Sequence, residues 1–121
     1  MLKGFEDITT NITPEEIITA QWIAKGLILR VGKENAITNK EIREAILKQG
    51  TKVSDIRLRR MIQHVRAYNL VPCLCAGKKG YYRAETEEEW TAWKTSMKQR
   101  IRQQQYTLAC AEHFNDQQET L

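Results

Sequence analysis

Apolar residues recur at helical spacing in four stretches of the chain and at strand spacing in one. Ile17, Ile18, Trp22, Ile23, Leu27, Ile28 and Val31 repeat every three to four positions up to about Gly32, behind Thr13-Pro14-Glu15-Glu16. In that leader Thr13 can cap, Pro14 suits the first helical position and Glu16 completes a capping box. The stripe is wide, which predicts a largely buried first helix with Trp22 in the core. A second capping box, Thr38-Asn39-Lys40-Glu41, opens a short helix that turns Ile42, Ala45, Ile46 and Leu47 inward and stops near Gly50. Ser54 starts a third helix, which runs to about Tyr68, buries Leu58, Met61, Ile62 and Val65, and ends at Asn69 in a left-handed conformation.

The period then changes. Residues 71–76 and 81–84 flank Gly77-Lys78-Lys79-Gly80, which predicts a β-hairpin with a basic tip. Pro72 confines the first strand to an edge or to its opening residues. Ala36-Ile37, after the turn Gly32-Lys33-Glu34-Asn35, can add a brief strand. A fourth capping box, Thr86-Glu87-Glu88-Glu89, leads a long helix to about Phe114. The expected fold class is mainly α with a small β-sheet. The expected division is a flexible N-terminal arm (1–12), a domain (13–85) and a C-terminal helix (86–121), within the size of one core.

That order of elements, with the segment Ser54-Asp55-Ile56-Arg57-Leu58-Arg59-Arg60-Met61-Ile62-Gln63-His64-Val65-Arg66 and the glycine-bracketed loop after it, resembles a winged helix-turn-helix domain over about residues 13–85. The segment is similar to the small helix-turn-helix proteins of bacteriophages and other mobile elements. The link 49–53 is longer than the tight turn of the simplest such proteins, so strict register is not carried over. The resemblance implies a third helix that enters the major groove, with the hairpin as a wing beside it.

Charge sharpens this expectation. Residues 1–51 are neutral overall and residues 84–121 carry a net −3, so the +4 of the whole chain arises from a +7 excess in residues 52–83. A localised positive stretch is the footprint of a nucleic-acid binder or of a solvated basic face. Wheel geometry places Arg60, Gln63 and Ala67 opposite the buried side of the third helix, with Arg57, Arg59, His64 and Arg66 on its flanks. A guanidinium matches the O6/N7 edge of guanine, and Gln63 the N6/N7 edge of adenine. Ser54 can hold a phosphate at the helix N-terminus. The candidate nucleic-acid contacts are therefore Lys52, Ser54, Arg57, Arg59, Arg60, Gln63, His64, Lys78, Lys79 and Arg83. Ile56 is expected to pack under the preceding turn, a thymine methyl being the other reading. Of Tyr81 and Tyr82, one should face the core and the other solvent, stacking on an unpaired base being the other reading of the exposed ring.

Other chemistry is sparse. Cys73 and Cys75 should share a strand face, but neither His64 nor His113 has ligand-like spacing to them, so no zinc site, metal or cofactor is expected. Scattered carboxylates are accounted for by capping, and no enzyme activity is expected. Three cysteines, no signal-like N-terminus and no apolar run of the roughly 18–20 residues that cross a bilayer predict a soluble cytoplasmic protein, in a bacterial or phage-infected cell on the resemblance. In the last helix Met97, Ile101, Gln104, Leu108 and Ala111 keep a three-four spacing, the mark of a dimerising seam or of a helix folded back or broken. Two functions fit: a regulator or replication accessory factor bound to double-stranded DNA, or an interaction module that offers the same basic face to an acidic protein, as a host-enzyme inhibitor, anti-defence protein or replication adaptor would.

Overall fold

The computed structural model describes residues 2–9 and 11–116, so Met1 and Thr10 of the expected arm and residues 117–121 of the expected tail helix lie outside it. Among the described residues four helices and one hairpin follow in the order α1 (Pro14–Leu27), α2 (Asn39–Lys48), α3 (Asp55–Ala67), β1 (Leu74–Gly77), β2 (Gly80–Arg83) and α4 (Glu87–Asn115). A 3-10 turn, Lys33–Asn35, joins α1 to α2. The protein is mainly helical, with a small two-stranded antiparallel sheet and a long C-terminal helix.

Each helix starts where a side chain replaces the missing backbone partner. Thr13 and Glu16, and Thr38 and Glu41, form reciprocal capping boxes, and Ser54 Oγ accepts from the Arg57 amide at 3.2 Å. At α4 the box is only half made. Thr86 caps the Glu89 amide, but the Glu89 carboxylate accepts instead from the amides of Glu85 at 2.8 Å and Lys33 at 3.0 Å. That choice anchors the root of α4 to the 3-10 turn. Gly50 and Asn69 take positive φ and terminate α2 and α3.

The core lies where α1, α2 and α3 converge on β1, with Ala20, Leu27, Ile46, Leu58, Met61 and Val65 at its centre. α1 differs from expectation in two ways. It ends at Leu27, since Ile28 already caps it, and its buried stripe is narrow: Ala20, Ile23, Ala24 and Leu27. Trp22 is 43% exposed, and Ile18 and Leu29 are open to solvent. α1 packs against α3, with the small Ala20 and Ala24 and the larger Ile23 and Leu27 on its buried side, while Ile18 and Trp22 are turned outward. Leu47 of α2 is exposed as well.

β1 begins at Leu74, later than the alternation suggested, because Pro72 donates no amide and Cys73 sits at φ 55. Cys73 is thus exposed while Cys75 is buried, so the two thiols do not share a face. Ile37 forms the expected brief extended contact, an antiparallel bridge to Tyr81, and Val31 bridges Arg83. Tyr82 enters the core and Tyr81 is half-buried against it. α4 is continuous for 29 residues, roughly 43 Å at 1.5 Å per residue. Trp90, Trp93 and Met97 are half-buried at its root, and beyond Met97 every described residue except Cys110 is exposed.

Candidate nucleic-acid interface

α3 buries Leu58, Met61, Ile62 and Val65, so residues about half a helical turn away must face outward. Ile56, Arg59, Arg60 and Gln63 do so, and line one shallow hollow of about 280 Å³ whose far wall is Thr9 of the N-terminal segment. Ile56 is 66% exposed there rather than tucked beneath the preceding turn. Two residues before Leu58, at ~100° per residue, it lies nearly opposite the core. Arg60 enters no ion pair among the described residues. Arg59 Nε donates to Asp55 Oδ1 at 3.3 Å, one turn earlier on the same exposed face. Such surface pairs contribute about 0.3–0.5 kcal/mol, little enough for a phosphate to displace.

Two residues expected at this face, Arg57 and His64, are elsewhere, and so is Arg66, expected on the flank. Arg57 Nε donates to Glu16 Oε2 at 2.8 Å, and its Nη2 donates both to the other Glu16 oxygen and, at 3.1 Å, to the Asn11 carbonyl. This bidentate clamp joins the first turn of α1, the N-terminal segment and α3, so the guanidinium is committed internally. His64 is only 9% exposed, since it follows Met61 by three residues and shares its face; its ring centroid lies 4.6 Å from that of Tyr68. Arg66 donates to the Leu74 carbonyl and stacks over Trp93 at 4.8 Å. Burial lowers its pKa from the ordinary arginine value.

The hairpin tip contributes less free charge than its sequence offers. Lys79 Nζ pairs with Glu34 of the 3-10 turn at 2.7 Å, and this bond holds the Glu34 carboxyl below its usual pKa. Lys78 and Lys52 are exposed without an ion pair among the described residues, and Arg83 is half-buried in β2. The described bonds of the tip thus run to Glu34 rather than to α3. Arg59, Arg60 and Gln63 are brought together; Arg57 and His64 are not. Sequence reasoning missed Thr9, favoured Ile56 under the preceding turn with the outward position as its other reading, and read Glu16 as a cap alone.

The Arg57 hydrogen bond depresses the Glu16 carboxyl from 4.5 to about 2. A lowered carboxylate pKa stabilises the fold above the unfolded-state value and loses that contribution as pH falls through the folded one. Stability from this pair is therefore full above about pH 5 and disappears between about 4.5 and 2. Denaturant titrations across that window are expected to give a flatter acid limb for Glu16→Gln than for wild type, with lower stability at pH 7. Equal slopes for the two proteins would refute the assignment.

Among the described residues no three or more His, Cys, Asp or Glu side chains cluster as a metal site requires, and no helix is long and apolar enough to cross a membrane. Comparison of the chain with protein-family models, with curated proteins and with solved structures returns no match.

Proposed function

We propose that this protein is a non-enzymatic DNA-binding protein of winged helix-turn-helix type that reads double-stranded DNA with the outer face of α3. A phage or mobile-element regulator or replication accessory factor is the corresponding class. The reading is carried by one observation: Ile56, Arg59, Arg60 and Gln63 share an outward hollow on a helix whose opposite side is core. This set supplies a bidentate cation for guanine, an amide for adenine and an apolar group for a thymine methyl. Ser54, Lys52 and Lys78 add phosphate contacts near the start of α3 and at the tip. The exposed positions Ile101, Gln104, Leu108 and Ala111, continuing the stripe from half-buried Met97, support self-association through α4, which would pair two α3 faces on related half-sites.

A second reading has its own support. The clamps on Arg57 and Arg66 and the Lys79–Glu34 pair leave fewer free cations than residues 52–83 contain, and Ile56 places an apolar group among those that remain. A face of that composition also suits an acidic protein partner. Selection of bound duplexes from a random pool, followed by a salt titration of the winning sequence, separates the two. The DNA reading expects an enriched motif and affinity that falls steeply with salt. Absence of binding to duplex at low salt would end it and leave the protein-partner reading.

A further inference from the structure

The outer side of α1 carries a feature that the α3 face does not use. Trp22 and Leu29 border an apolar groove of about 500 Å³ between α1 and α2, with Gly26 and Ala45 among its lining residues. Gly26 has no internal reason to be glycine. Its φ is not in the left-handed region, and a Cβ built on it meets nothing within 4 Å. In the last turn of α1 such a glycine costs up to about 1 kcal/mol against alanine, so the fold alone does not favour it. A residue without a side chain on the floor of an open groove instead permits the close approach of another helix.

The groove is edged by Lys25 and Arg30, neither in an ion pair among the described residues. The end of α4 has the opposite character. Residues 103–116 contain Glu112 and Asp116 and no lysine or arginine, and neither acid is paired among the described residues. The same segment exposes Leu108 and carries the small run Ala109-Cys110-Ala111. A helix that exposes Leu108, is slim at residues 109–111 and is acidic at its C-terminal end therefore has the shape and charge that a groove with a glycine floor and cationic rim accepts. Within one chain the two do not meet, because α4 is exposed from Leu108 to Asp116 apart from half-buried Cys110.

We infer that the last turns of α4 dock in the Trp22–Gly26–Leu29 groove of a second copy, giving an exchanged dimer in which each chain supplies one helix and one groove. The inference rests on α4 being a self-association element and replaces a helix-on-helix seam by a helix-in-groove contact. Two reciprocal contacts close a two-fold dimer and leave neither apolar surface open.

Molar mass by light scattering, measured for the full chain, tests this. The wild type is expected to be a dimer. Gly26→Leu fills the groove without straining α1, so it is expected to weaken dimerisation at least about tenfold while far-UV circular dichroism is kept and the stability of the monomer does not fall. Leu29→Glu, at a position 80% exposed, is expected to do the same, and Leu108→Glu to break the dimer from the other side. A wild-type monomer at high concentration would overturn both this contact and self-association through α4. A dimer lost in Leu108→Glu but intact in Gly26→Leu and Leu29→Glu would overturn the groove alone and establish a seam between the two α4 helices.

Discussion

Gly80→Ala is expected to lower the thermal midpoint by roughly 10 °C or more in a circular-dichroism melt. Gly80 sits at φ +113, and a Cβ there would lie 2.1 Å from the Ile37 carbonyl oxygen and 2.7 Å from the Thr38 nitrogen. No flexible side chain is available to yield, since both neighbours are backbone. The strain of a positive φ and the overpacking each cost about 1–3 kcal/mol, so a combined loss of about 3 kcal/mol or more follows. The damage reaches past the hairpin. Ile37 exchanges two hydrogen bonds with Tyr81, of 2.9 and 2.8 Å, and Thr38 is the cap of α2. Gly77→Ala is the internal control: its φ is ordinary and its added Cβ would meet only the Tyr82 ring at 4.0 Å, so its effect should stay within about 1 kcal/mol. Equal melts for the two variants would refute this account of the hairpin's attachment.

Arg60→Ala is expected to reduce affinity for a selected duplex by about ten- to a hundredfold and to relax preference at one base position, with the melting curve unchanged. One bidentate guanidinium–guanine contact is worth about 1–3 kcal/mol of discrimination. Arg60 is exposed and outside every ion pair among the described residues, so its removal leaves the fold nothing to lose. Lys78→Ala should instead weaken all sequences by a few fold, as loss of a phosphate contact does. Arg57→Ala gives the sharpest contrast. Its clamp on Glu16 and Asn11 makes it a stability variant, with lower resistance to denaturant and little change in base preference. Binding competition against single-base variants of the selected site reads all three. A uniform loss for Arg60→Ala would show that it contacts phosphate only.

The pattern of elements was legible because it rests on local chemistry. Caps at Thr13, Thr38 and Ser54, the stop at Asn69 and the change of period after it all act within a few residues. The fates of the arginines were not legible, because they depend on partners far along the chain. Arg57 meets Glu16 at a separation of 41 residues, and Lys79 meets Glu34 at 45. A wheel places a side chain on a flank but does not say whether a carboxylate from another helix waits there. Trp22 went astray for a related reason: apolar spacing alone gave a broad stripe, while the buried side of α1 takes only Ala20, Ile23, Ala24 and Leu27. Ile56 follows the same geometry that placed Leu58 inside, which put it on the outward side that its thymine-methyl reading required.

Arg66 has a consequence for how the molecule comes apart. Its guanidinium belongs to α3, bonds a carbonyl of β1 and lies on the Trp93 ring of α4, largely out of water and with no carboxylate paired to it among the described residues. Peeling away either neighbour alone removes a partner from a cation that has few replacements. The strand, the helix and the root of the projecting rod are therefore bound into one cooperative unit, whose amides should share a common resistance to deuterium exchange.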